Sequence, residues 1–89
     1  MAALGLDAWW DEPDYKQSYT ANLRGEFILN KLMQRDPKKF QALMADIFKG
    51  KDPLPESMTA SQWRIILMAM GASLTEIAQV FMRMGLEQQ

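Results

Sequence analysis

The stretch TASQWRIILMAMGASLTEIAQVFMRM, residues 59–84, decides the fold of this 89-residue chain. It contains two Ser/Thr-x-x-Gln/Glu patterns, beginning at Thr59 and at Ser73, and each stands directly before an apolar run. This pattern is typical of a capping box, in which the first and fourth residues satisfy each other's free backbone amides at a helix start. Gly71 lies between the two runs and suits the left-handed backbone that often ends a helix. The stretch therefore predicts two consecutive helices that form a hairpin.

The first helix of this hairpin, residues 60–70, is apolar almost all round its circumference. Its apolar residues are Trp63, Ile65, Ile66, Leu67, Met68, Ala69 and Met70. A helix that is apolar on every side is typical of the buried centre of a protein. We therefore expect it to be the most buried element, and we expect its neighbours to leave an apolar stripe of it uncovered.

The second helix of the hairpin, residues 74 to about 84, is predicted to be amphipathic. The apolar face is expected to contain Leu74, Ile77, Ala78, Phe81 and Met84. Thr75, Gln79 and Arg83 are expected on the opposite, solvent-facing side.

Two more helices are predicted before the hairpin. Apolar residues at three- and four-residue steps indicate a helix from about residue 14 or 18 to Arg35, in which Gly25 marks either a close crossing or a break. Asp36 followed by Pro37 is a typical helix start, and the apolar spacing from Phe40 onward continues that helix to Gly50. The two prolines in residues 51–57 predict a non-helical loop.

These elements predict a single all-α domain over residues 1–89: a compact four-helix domain with an irregular, acidic and aromatic lead-in over residues 1–13. Hydrophobic residues make up 48% of the chain and charged residues 24%, as in ordinary globular domains. No run of alternating polarity indicates a strand. The expected core consists of Leu23, Phe27, Phe40, Leu43, Ile47, Trp63, Ile66, Leu67, Ile77 and Phe81.

The composition argues against catalysis and against bound metals or cofactors. The chain contains neither His nor Cys, so the commonest general base and the commonest zinc ligands are both missing. There is no glycine-rich phosphate loop, and the serines and threonines have no histidine to activate them. The sequence also lacks a signal-type leader and any stretch near the ~20 apolar residues that span a bilayer. We therefore expect a cytoplasmic protein that is no enzyme and has no membrane partner.

Charge is unevenly distributed although the formal net charge is only -1. Residues 1–20 carry four acids against one lysine, whereas residues 21–51 carry seven basic residues against three acids. The remaining residues have an excess of two acids. Such clustering is usual on solvated faces, and it also suits contact between the acidic head and the basic middle of the chain.

Protein binding is the leading functional hypothesis, and its expected site has two parts. Trp9 and Trp10 are adjacent, so they cannot share one helix face, and each is interpreted either as a core plug or as an anchor for a partner. Methionine concentrates in the last two helices, and its flexible thioether suits adaptable interfaces as well as cores. The expected methionine contacts are Met68, Met70, Met82 and Met84. We expect a protein partner or a second copy, as in a homodimeric adaptor, chaperone or inhibitor.

Nucleic-acid binding is the alternative hypothesis. Residues 63–80 resemble a helix-turn-helix, because apolar residues occupy the positions at which that motif packs its helices and Gly71 occupies the turn. The resemblance implies that Thr75, Gln79 and Arg83 would face DNA, but Leu67 replaces the small residue usual in the first helix. The basic face of the second predicted helix, with Arg35, Lys38 and Lys39, is the other expected nucleic-acid contact.

Overall fold

The computed structural model describes residues 3–51 and 54–86, and within them the chain is all-α, as predicted. Four helices have ten or more residues: α3 (Ala21–Arg35), α4 (Pro37–Phe48), α5 (Ala60–Ala69) and α6 (Leu74–Met84). Two single-turn helices precede them: α1 (Leu6–Trp9) and α2 (Pro13–Lys16). A 3-10 turn, Pro55–Ser57, lies between α4 and α5. Every helix within the described residues is too short or too polar to cross a bilayer.

Both predicted capping boxes are present. At the start of α5, the Thr59 hydroxyl accepts a hydrogen bond from the Gln62 backbone N–H at 3.1 Å, and Gln62 Oε1 accepts one from the Thr59 N–H at 2.9 Å. Ser73 and Glu76 form the same reciprocal pair at the start of α6. These side chains satisfy amides that a helix start otherwise leaves free. The predicted starts of both hairpin helices are therefore confirmed, and α5 ends at Ala69, one residue before the predicted end.

Helix α3 begins later than predicted, at Ala21 rather than near residue 14 or 18. The preceding residues form a separate turn, α2, and Thr20 then takes an extended backbone and caps α3 by accepting from the Leu23 N–H at 3.1 Å. Asp36 caps α4 as predicted, by accepting from the Lys39 N–H at 3.2 Å.

Two segments predicted to be non-helical contain short helical turns. The lead-in includes α1 and the first residue of α2, and the loop over residues 51–57 includes the 3-10 turn. Pro13 and Pro55 each occupy the first turn of a short helix. The backbone N–H groups of a first turn have no acceptor within the helix, so proline costs no hydrogen bond there. Proline therefore begins these turns instead of preventing them.

Gly25 does not break α3, which continues through it. A Cβ at this position would collide with the Cβ of Pro55 and would lie 3.2 Å from the Met84 Cε. The close approach predicted at Gly25 therefore exists, and its nearest partner is the 3-10 turn, followed by the Met84 side chain of α6.

Most of the predicted core is buried, including Phe27, Phe40 and the apolar residues expected from α5 and α6. Leu43 and Ile47 are only partly buried. Leu23 is 42% exposed, so its assignment to the core was wrong. It lies in the first turn of α3, within about 40° of Phe27, but the fully buried side of the helix passes through Ile28 and Leu32, about 140° and 180° away from it.

The N-terminal segment, residues 3–16, supplies core residues that the sequence reading assigned to an irregular lead-in. Leu6 is fully buried, and Leu4, Trp9 and Trp10 are at most 8% exposed. The segment is therefore part of the domain and covers one side of α6.

Candidate interaction surface

Four long apolar side chains on α5 and α6 are more than half exposed, and we call this group the hairpin face. On α5 they are Ile65, 52% exposed, and Met68, 54% exposed. On α6 they are Leu74, 79% exposed, and Met82, 71% exposed. Large exposed apolar side chains on two neighbouring helices are candidates for a contact surface.

Helical spacing explains why these side chains point outward. On α5, Ile65 and Met68 are three residues apart and lie opposite the buried side that includes Trp63. On α6, Leu74 and Met82 are eight residues apart, which places them within about 80° of each other. The stripe of α5 that we expected its neighbours to leave uncovered is the one that contains Ile65 and Met68.

Arg64 packs α5 against α6. Its guanidinium carbon lies 5.6 Å from the centre of the buried Phe81 ring on α6. Met68 is one turn beyond Arg64, and Leu74, in the first turn of α6, is two turns before Phe81. The contact therefore joins the two helices near Met68 and Leu74, whereas Met82 lies about 100° from Phe81 round α6.

The predicted methionine contacts divide evenly between surface and core. Met68 and Met82 belong to the hairpin face, whereas Met70 and Met84 are only 7% and 8% exposed. Leu74, which was expected on the packed face of α6, is instead its most exposed apolar residue. The packed face passes through Ile77, Val80, Phe81 and Met84.

The structure places Trp9 and Trp10 in the core, away from the hairpin face. The Trp9 and Phe27 rings pack edge to face, with their centres 6.5 Å apart, and the centres of the Trp10 and Tyr15 rings are 4.9 Å apart. The Trp10 indole N–H donates to Gln79 Oε1 at 3.0 Å. Both indoles therefore pack into the core, which is the first of the two predicted roles.

Glu76 is the buried polar residue that fixes the N-terminal segment on α6. One carboxylate oxygen accepts from the backbone N–H of Leu4 and the other from those of Gly5 and Leu6, at 2.7 to 3.0 Å. Burial by itself raises the pKa of the Glu76 carboxyl, but the backbone donors, with the Ser73 N–H among them, outweigh it and hold that pKa below its ordinary value of 4.5.

The helix-turn-helix positions are not equally available on α6. Thr75 is exposed, but Gln79 accepts the Trp10 hydrogen bond. The Arg83 guanidinium lies 4.4 Å from the Trp10 ring centre and donates to the Tyr15 hydroxyl at 3.1 Å. The side of α6 that would enter a DNA groove in a helix-turn-helix is therefore covered largely by the N-terminal segment.

The basic residues predicted near α4 lie on the surface. Lys38 and Lys39 are exposed in its first turn. Arg35 is also exposed, and its guanidinium donates to the backbone oxygens of Leu4 and Ala3 at 3.4 and 3.5 Å. These cations lie at the α3–α4 junction, whereas Thr75, Gln79 and Arg83 belong to α6.

A second apolar surface, which the sequence reading missed, is a groove of about 370 Å³ between α3 and α4. We call it the α3–α4 groove. Its apolar lining consists of Leu29, Met33, Phe40, Met44, Leu54 and Pro55. The regular apolar stripe of α4 is the signal that could have indicated it, because Phe40 is the one residue of that stripe that is buried and the others are only partly covered.

Among the described residues, no group of three or more Asp or Glu side chains is arranged to hold a metal ion. Comparisons of the chain with protein-family models, with curated proteins and with solved structures found no match.

Proposed function

We propose that this chain is a non-catalytic helical module of the adaptor, chaperone or inhibitor kind, which binds a second copy of itself or a protein partner through the hairpin face. The observation that carries the proposal is the exposure of Ile65, Met68, Leu74 and Met82 on two well-capped helices. The non-catalytic role rests on the absence of His and Cys from the sequence.

The energetics of burial favour a partner on the hairpin face. Full burial of a side chain of this size contributes about 1.5–3 kcal/mol. Only part of that gain appears as affinity, because association costs translational and rotational freedom. Two of the four side chains are methionines, whose flexible thioethers adapt to a partner at little cost in strain.

The charge around the hairpin face favours a second copy as the partner. The exposed polar neighbours Ser61, Ser73 and Thr75 are uncharged, and Arg64 is half-buried over Phe81. A two-fold dimer places a surface against itself, so exposed like charges at its centre would repel. Among these neighbours the cation is the half-buried Arg64, so the repulsion in such a dimer would be limited to one pair of half-buried guanidinium groups.

Light-scattering mass across a dilution series tests the proposal. We expect the mass of the wild type to rise with concentration, and we expect Met68→Lys/Met82→Lys to stay monomeric because it places ammonium groups in the interface. Both positions are exposed, so the double variant should keep the thermal midpoint that the wild type has at dilutions where it is monomeric.

Met33→Lys is the matched control, because Met33 is 40% exposed but lies in the α3–α4 groove. It should associate like the wild type. Binding of an apolar dye to the native wild type, reduced in the double variant, is the second expected result. A constant monomer mass together with equal dye binding by all three proteins would contradict the proposal.

A further inference from the structure

The exposed cations of the basic middle collect at the two ends of α4. They are Arg35, Lys38 and Lys39 at its start and Lys49 and Lys51 at its end, and all five are exposed. The described ion pair joins Lys31 to Glu12, and no described carboxylate pairs with any of the five.

Two carboxylates belong to the same stretch and do not cancel this charge. Asp36 uses its Oδ1 to cap α4 through the Lys39 N–H. Asp46 is exposed on α4 itself. Five cations against two carboxylates leave residues 35–51 strongly positive in a chain whose overall charge is -1.

Lys38 lies in the first turn of α4, and Lys49 is its C-cap residue, whose left-handed backbone (φ 54) departs from the helical repeat. The two residues are about 16 Å apart along the helix axis. Ala42 and Ala45 lie between them, on the side of α4 that carries Lys38, and both are exposed. We call Lys38, Ala42, Ala45 and Lys49 the α4 lysine face. Its middle is formed by two alanines and is bordered by the exposed Asp46, and its two ends are cationic.

We propose that the α4 lysine face binds the phosphate backbone of double-stranded nucleic acid without reading its bases. A duplex presents one negative charge per about 1.7 Å of its axis, so it can neutralise both lysine clusters in any register. The short alanine side chains let the helix approach the backbone closely. No large exposed apolar side chain lies between the lysines to insert into a bilayer, so the face fits a polynucleotide better than a membrane.

This binding is independent of the hairpin face. The α4 lysine face lies on a different element, so the loss of one activity does not imply the loss of the other. Met68→Lys/Met82→Lys should bind duplex at least as well as the wild type.

Fluorescence anisotropy of a labelled 20-base-pair duplex, titrated with the full chain in about 50 mM salt, tests the proposal. A plot of log affinity against log salt should have a slope between about -3 and -5, because each neutralised phosphate contributes about -0.9. Lys38→Gln/Lys49→Gln should weaken binding at least tenfold and should bring the slope about two closer to zero.

The matched comparison is between the single variants Lys38→Gln and Lys16→Gln, which change the net charge equally. Lys16 is exposed on α2, outside the α4 lysine face, so its variant should bind like the wild type. An equal loss in both variants would overturn the proposal, because it would mean that only net charge matters. No anisotropy change up to about 100 µM protein would also overturn it, as would co-sedimentation with phosphatidylserine vesicles without duplex binding.

Discussion

Glu76 shows what sequence reasoning finds and misses at the scale of a residue. The Ser73-x-x-Glu76 spacing predicts that this carboxylate caps its own helix, and it does. The same carboxylate also accepts the backbone N–H groups of Leu4, Gly5 and Leu6, some seventy residues away in sequence. A capping pattern is local, so it gives no information about a second set of donors that arrives through tertiary packing.

Replacing Glu76 with Gln should lower the free energy of unfolding by about 2–3 kcal/mol, because the amide has a single acceptor oxygen and would point N–H groups at buried N–H donors. Chemical denaturation at pH 7 measures this change. Glu26→Gln, at an exposed position of α3, is the control and should be close to neutral. An equally small effect at both positions would contradict the role assigned to Glu76.

The stabilising effect of Glu76 should also depend on pH. Because its pKa is lower in the folded than in the unfolded chain, its contribution is fully present above the unfolded value of 4.5 and is lost as the pH falls through the folded-state pKa. The difference in unfolding free energy between the wild type and Glu76→Gln should therefore shrink on acidification below about pH 5. A difference that stays constant or grows in acid would contradict this expectation.

Gly25→Ala should destabilise the domain by about 1–3 kcal/mol, although alanine favours helix by about 1 kcal/mol over glycine. The reason is the collision of the new Cβ with the rigid Pro55 ring. Thermal unfolding checks the sign. Asn30→Ala, at an exposed position of the same helix, should be neutral or slightly stabilising. Stabilisation by Gly25→Ala would show that the 3-10 turn can move away.

At the scale of elements, local signals predicted the starts of α4, α5 and α6 well, but they misplaced the start of α3 and missed the role of the N-terminal segment. Thr59, Ser73 and Asp36 each cap a helix at the predicted position, because capping depends only on residues within one turn. Leu6 is fully buried because the N-terminal segment packs on α6. Residues next to Leu6 in the sequence give no signal of that packing. An adjacent Trp pair could be read as a plug or as an anchor, and sequence alone left both open.

Trp10→Ala should lower the unfolding free energy by about 3–5 kcal/mol, as is usual for a buried tryptophan. The variant loses ring contacts with Tyr15 and Arg83 as well as the hydrogen bond to Gln79. Differential scanning calorimetry measures the change. Tyr19→Ala provides an aromatic control, because Tyr19 is 78% exposed and its loss should hardly matter. Similar midpoints for both variants would mean that the segment is not part of the cooperative core.

For the whole molecule, the all-α fold followed from the sequence, but the surfaces followed only in part. Because α5 is apolar on nearly all sides, we expected part of its surface to stay uncovered by neighbouring helices. Ile65 and Met68 are that exposed part. The predicted methionines could not be divided into core and surface without the packing, which buries Met70 and Met84. The α3–α4 groove was missed because a regular apolar stripe does not reveal how completely a neighbouring helix covers it.

The methyl groups of methionine provide the most direct test of the hairpin face as the contact surface. Wild-type protein labelled with 13C at its methionine methyls can be followed by NMR from dilute to concentrated solution. We predict that the resonances of Met68 and Met82 shift and broaden with concentration while those of Met33, Met70 and Met84 stay in place. Shifts confined to Met33 and Met44, in the α3–α4 groove, would contradict the account, as would eight resonances that do not respond to concentration.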